Sequence, residues 1–202
     1  MNVLAVSACL KRCSAAIICD GTVCERDFQG DSSGNLANVV DGLLRENSIE
    51  PKKIDGIIVA SGPGSFTGIR VASSLGHGMA LALKIPILGI NYFSIIDEMY
   101  REDETRQYDP DRLILIETEK KHLYFKHGSR EPGVSSYENI FAYIDENKIE
   151  TIVGDAQISH RNIVFINDFR KARRLLAFSK ELSAKSTAVP LYLNAAAAIN
   201  EN

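Results

Sequence analysis

Ser61-Gly62-Pro63-Gly64-Ser65-Phe66-Thr67-Gly68-Ile69-Arg70 decides how this chain is read. The run follows an apolar strand-like segment, Ile54 to Ala60, and opens a long helical stretch that starts near Phe66. Gly62, Gly64 and Gly68 permit positive φ and close backbone approach, and Pro63 stiffens the turn. Ser65 or Thr67 is placed to accept hydrogen bonds from the first free N–H groups of the helix. A loop of this kind suits an anion at a helix N-terminus. It equally suits a tight strand-to-helix turn with no ligand. It is not a Walker A loop, because no Lys-Ser/Thr pair ends it.

Working outward, the first half reads β-β-β-α-β-α-β. Asn2 to Ser7 is a buried-strand run, and Cys13–Cys19 and Thr22–Phe28 form a hairpin around Asp20-Gly21. Leu36, Val39, Val40, Leu43 and Leu44 recur at helical spacing. Ile54 to Ala60, Phe66 to Lys84 and Ile85 to Ile90 supply strand, helix and strand, and a further helix spans 93–101. The polar run from Arg101 to Gln107, followed by Tyr108-Asp109-Pro110, marks a boundary. Two lobes follow, 1–103 and 104–202. The second repeats the first in shortened form: strands at 112–117 and 122–126 around Glu119-Lys120-Lys121, a helix at 137–147, and strands at 151–153 and 164–166. An amphipathic helix capped by Asn167-Asp168 runs to Leu182, with Phe169, Ala172, Leu176 and Leu182 inward.

Bulk properties exclude several classes. A net charge of −3 gives no overall pull toward nucleic acid or a membrane surface. No apolar run reaches the roughly 20 residues that cross a bilayer, and the N-terminus lacks the basic segment of a secretory signal. Cys9, Cys13, Cys19 and Cys24 form no CxxC pair and read as buried or half-buried thiols in a reducing compartment. His77, His122, His127 and His160 lie in different elements without metal-ligand spacing, and His122 and His127 point to opposite faces of one strand. The expectation is a cytoplasmic protein with no membrane contact and no metal of its own.

The nine residues from Gly62 to Arg70 resemble the signature of the TsaB (YeaZ) family. Leu4-Ala5-Val6 with Cys13 to Ile17, Gly78 to Ala82, Pro86 to Ile90, Val153-Gly154-Asp155 and Pro190 to Leu193 are similar to further landmarks of that family in the same order. The resemblance is dense over 1–95 and thin beyond. It implies an α/β actin-like fold of the sugar-kinase and Hsp70-like ATPases, in two lobes with the second shortened.

The resemblance also implies what has been lost. The acid expected after Leu4-Ala5-Val6 is Ser7, which can neither neutralise Mg²⁺ nor orient its waters. Glu117, at the matching strand end of the second lobe, is one remaining acid, or simply a solvated strand-end carboxylate. The adenosine-binding glycine segment is absent, the arginine-rich turn has become Glu119-Lys120-Lys121, and the tail reads Leu193-Asn194 without its arginine. The nucleotide site is therefore expected to be degraded, with ATP and Mg²⁺ placed only at an interface of the assembled complex.

The helix after the loop is crowded with small residues, among them Ala72, Ser73, Ser74, Gly76, Gly78, Ala80 and Ala82. One face is expected to pack on the protein's own sheet and another to meet a partner. In the family the first-lobe helices pair with TsaD, which assigns Leu36, Val39, Val40, Leu43, Ile69, Ser73, Ser74, His77 and Gly78 to an interface. Arg170, Lys171, Arg173 and Arg174, with Arg161 and Lys180, are either a phosphate-contacting patch or the solvated side of an amphipathic helix. The resemblance implies a non-catalytic scaffold of the threonylcarbamoyladenosine-forming machinery, partnered by TsaD and TsaE, touching tRNA through the complex, and self-pairing when alone. The alternative is a stand-alone glycoprotease-like hydrolase or ATPase.

Overall fold

The computed structural model of the chain describes residues 1–9, 12–29, 35–118, 122–159, 162–183 and 186–193. The turn Glu119-Lys120-Lys121, His160, Arg161 and Asn194 lie outside them. The first unit comprises Met1–Tyr92 and Arg170–Tyr192. Its strands are β1 (Val3–Ser7), β2 (Arg12–Cys19), β3 (Thr22–Gln29), β4 (Gly56–Ala60) and β5 (Ile87–Ile90). Its helices are α1 (Leu36–Glu46) and α2 (Phe66–Leu83). The sheet order is β3-β2-β1-β4-β5, antiparallel from β3 to β1 and parallel from β1 to β5. The β2–β3 hairpin turns through Asp20 (φ 50°) and Gly21 (φ 82°), whose paired positive φ matches the right-handed strand twist.

Both faces of this sheet are covered, which is why β1 is buried along its whole length. Alternation assigns the layers. Leu4, Val6, Cys13, Ala15, Ile17, Ile57 and Val59 share one core with Leu36, Val39, Val40, Leu43 and Leu44 of α1 and with Ala72 and Ala80 of α2. The opposite face, carrying Ser14 and Gly56, meets the chain's return. Ser14 Oγ accepts the Ala172 amide at 2.8 Å, and a Cβ on Gly56 would stand 2.9 Å from Leu182 Cδ1.

That return corrects two expectations. The segment after Asn167-Asp168 is a 3₁₀-helix, Ala172–Glu181, rather than an α-helix. It belongs to the first unit, although the sequence division assigns everything after residue 103 to the second lobe. Its buried Ala172, Leu175, Leu176 and Phe178 find a ready apolar layer on the open face of the first sheet.

The second unit contains Phe93–Phe169. The helix α3 (Tyr92–Arg101) leads through 102–112 into β6 (Leu113–Glu117), followed by β7 (His122–His127), β8 (Gly133–Ser136), α4 (Tyr137–Glu146), β9 (Ile152–Gly154) and β10 (Ile163–Phe165). The order β8-β7-β6-β9-β10 repeats the first sheet strand for strand. The repeat expected from the sequence is thus present, with β8 as an added strand that its short Gly-Val-Ser-Ser text conceals. α3 joins this unit from Phe93 because Asp97 binds both Arg101 (3.2 Å) and the buried Arg112, while Arg101 lies 4.2 Å over the Tyr108 ring. Asp97→Ala leaves the Arg112 guanidinium buried without its carboxylate, and a loss of about 3 kcal/mol in urea unfolding is expected. An unchanged midpoint would show that the Pro110 carbonyl, 2.9 Å from Arg112 Nη1, suffices.

Candidate functional site

The loop from Ser61 to Gly68 joins the C-terminal end of β4 to α2. Its positive φ falls on Gly62 (115°), followed by a cis peptide to Pro63. Ser65 is the N-cap: its Oγ accepts the Gly68 amide at 3.0 Å, and its carbonyl accepts the Ile69 amide at 3.0 Å. Gly68 is already within the helix, so its role is space and not positive φ. A Cβ there would stand 1.9 Å from the Ala8 carbonyl oxygen. The same fit continues one turn at a time: Gly68, Ala72, Gly76 and Ala80 are buried at four-residue spacing, and a Cβ on Gly76 would meet Val59 Cγ1 at 2.4 Å.

The other face of α2 carries a second small-residue stripe. Ser74, Gly78 and Ala82 are exposed, with His77 beside them and Leu81 82% exposed at the end. Among the described residues, nothing lies within 4 Å of a Cβ on Gly78. At the start of the helix, Phe66 is 53% exposed, Arg70 holds its guanidinium 3.7 Å over the Phe66 ring, and Tyr192 stands 5.1 Å away between ring centroids. Between Arg70 and Lys84 the helix carries no Asp, Glu, Lys or Arg.

The interface expected from the sequence therefore divides. Ser74, His77 and Gly78 face outward and Ser73 is half-buried. Leu36, Val39, Val40, Leu43 and Ile69 are buried in the first unit. A three-turn helix with one apolar stripe has one face to bury, and α1 buries it on its own sheet.

At the end of β1, Ser7 is 1% exposed and its Oγ lies 2.7 Å from the hydroxyl of the fully buried Tyr92. Burial holds the Tyr92 phenol well above its ordinary range. Tyr92 also donates its amide to Gly62 O at 2.7 Å, tying the strand end to the glycine loop. Ser7 itself offers a hydrated Mg²⁺ no carboxylate, and its hydroxyl is already paired with Tyr92. The register β1–β4 and β6–β9 makes Glu117 the counterpart of Ser7 in the second unit. It is not a freely solvated carboxylate. Tyr137 donates to Glu117 Oε1 at 2.9 Å, and Asp155 Oδ1 accepts the Glu117 amide at 2.9 Å. Burial first, and then the Glu117 carboxylate, push the Tyr137 phenol up to about 12.

Burial likewise pushes the Cys9 thiol from its ordinary value near 9 up to about 12. The neutral thiol is the folded form, so this stability is complete below about pH 9 and is lost as pH rises toward 12. The urea midpoint is expected to fall across that window. Half-buried Cys19 and Cys24 should react with a thiol reagent in the native protein, and buried Cys9 and Cys13 only after unfolding. Equal reaction of all four thiols would contradict this.

His122 is exposed and His127 is 2% exposed, on opposite faces of β7 as their odd spacing requires. His127 Nδ1 lies 2.8 Å from the Tyr143 hydroxyl, a structural contact. Of the basic run, Arg173 is paired with Glu25 on β3 at 3.4 Å. No described helix is long and apolar enough to cross a membrane.

Comparisons with known proteins agree with this fold. Solved structures described as a protein with similarity to peptidase YEAZ and as YeaZ, both from Pseudomonas aeruginosa, superpose with TM-scores of 0.72 and 0.70. Each is 22% identical; the first covers 96% of this chain and 99% of its own, the second 95% and 99%. Together with the doubled sheet order, they give the actin-like fold. Proteins described as tRNA threonylcarbamoyladenosine biosynthesis protein TsaB match at 25% identity over 126 residues in Buchnera aphidicola subsp. Acyrthosiphon pisum and 29% over 97 residues in Escherichia coli. These matches take in 61% and 45% of this chain, and span about half the relatives' length, 55% and 40%. A family model described as TsaD, tRNA N6-adenosine threonylcarbamoyltransferase, matches residues 26–156, more than half of the chain. The chain belongs to this family and has the actin-like fold, with proteins described as TsaB and YeaZ among those it is similar to.

Proposed function

We propose that the chain is a non-catalytic scaffold of the tRNA threonylcarbamoyladenosine-forming machinery, and that it docks TsaD on the outer face of α2. The observation that carries this reading is Gly78. A glycine inside a helix costs about 1 kcal/mol relative to alanine, and none of the described residues occupies the space over it. Gly76 and Gly68 on the inner face are accounted for by the first sheet; Gly78 is accounted for by a second backbone approaching from outside.

The neighbours of Gly78 suit that role. Ser74 and Ala82 keep the approach shallow, and exposed Leu81 and the Phe66–Arg70–Tyr192 cluster supply large anchors at the two ends. The helix is 18 residues long, about 27 Å, enough to present one face to a crossing helix. TsaE joins the pair, tRNA is met through the complex in the cytoplasm, and nucleotide and Mg²⁺ belong to the assembly. The engaged hydroxyl of Ser7 supports a scaffold over independent hydrolysis or ATP turnover.

The test is reconstitution. The chain is expected to co-elute with the TsaD of the same genome, and tRNA modification by TsaD with TsaE is expected to depend on adding it. Modification at full rate without the chain, or ATP or glycoprotein hydrolysis by the chain alone, would reject the scaffold reading.

A further inference from the structure

Residues 187–192 run as a strap from Gly89 of β5 to the glycine loop. The Gly89 amide donates to Thr187 O at 3.0 Å, and the Leu191 amide donates to Ser61 O at 2.7 Å. Ala188 is buried in the first core, while Val189 is 73% exposed. Two glycines make the seat. A Cβ on Gly89 would stand 2.8 Å from Ala188 Cα, and one on Gly62 2.5 Å from Leu191 O. At the tip, Tyr192 packs on Phe66, the first residue of α2.

We propose that this strap is a latch: it opens separately from the sheet, and its closure sets the capped start of α2. Three features carry the inference. Among the described residues its attachment is sparse, two backbone hydrogen bonds, one small buried side chain and the Tyr192–Phe66 ring contact, which is the profile of a locally opening segment. Its seat is specific, since both glycines are shaped to it. Its tip touches the helix whose outer face is the docking surface proposed above. Resting on that reading, seating of the strap and docking on α2 are linked, so that a partner covering Phe66 and Tyr192 favours the closed latch and a closed latch favours the partner.

Amide hydrogen exchange on the isolated full chain, followed by NMR, tests the latch without any partner, and so fails independently of the scaffold reading. The Gly89 and Leu191 amides are expected to exchange together, at least tenfold faster than the paired amides of β1. Tyr192→Ala, at an exposed position, is expected to speed both at least tenfold, together with the Gly68 amide held by Ser65 Oγ, while β1 stays unchanged. Gly62→Ala is expected to do the same more strongly if it folds; Tyr192→Ala decides the matter if it does not. Exchange of Gly89 and Leu191 in step with β1 would overturn the latch, because the strap would then open only with the whole unit. Accelerated strap amides with an unchanged Gly68 would overturn its coupling to α2.

Discussion

Gly68→Ala is expected to destabilise the chain by at least about 3 kcal/mol, whereas Gly78→Ala, ten residues further along the same helix, is expected to stabilise it by up to about 1 kcal/mol. Helix propensity alone gives both substitutions the same favourable sign. What separates them is the neighbour of the added methyl. At Gly68 it lands 1.9 Å from the Ala8 carbonyl oxygen, and neither backbone can yield without lifting α2 off the strand end or breaking the Ser65 cap. At Gly78 it enters open space. Urea unfolding of the two variants measures this directly. Equal signs would mean that α2 is not seated as described. The scaffold reading adds a cost to the stabilised variant: Gly78→Ala should bind TsaD more weakly than the wild type, because the methyl occupies the partner's space.

A charge on α2 should separate docking from folding. Ser74→Arg is expected to leave far-UV circular dichroism and the urea midpoint within about 0.5 kcal/mol of wild type, since Ser74 is exposed. Association with TsaD should fall at least about a hundredfold, because an arginine buried there without a counter-ion typically costs several kcal/mol. tRNA modification should fall with it. Val40→Glu serves as the contrast. Val40 is 4% exposed in the core with Leu36 and Leu43, so its carboxylate would be buried in the monomer and the chain is expected to unfold. A Ser74→Arg variant that keeps its partner would move the docking surface off this face; a folded Val40→Glu would contradict the packing of α1.

Local chemistry made much of the first unit legible in the sequence. Strand alternation, the Asp20-Gly21 turn, the helical spacing of Leu36 to Leu44 and a cap at Ser65 or Thr67 are all interactions between residues a few positions apart. They determined the element order and the loop from Ser61 to Arg70 without reference to anything distant. The doubled plan was readable for the same reason, except that β8, four residues rich in Gly and Ser, carries no pattern of its own. Periodicity shows that a helix has an apolar stripe, but not what covers it. Whether Leu36, Val39, Val40 and Leu43 meet the chain's own sheet or a partner is decided by which surface reaches them first, and the sheet does. The destination of Ala172–Glu181, the Ser7–Tyr92 and Glu117–Tyr137 pairs, and the seating of 187–192 on Gly62 and Gly89 likewise join residues dozens to more than a hundred positions apart in most cases. Tertiary structure alone decided these, because burial selects partners by shape and open area in space, and sequence distance carries no record of either.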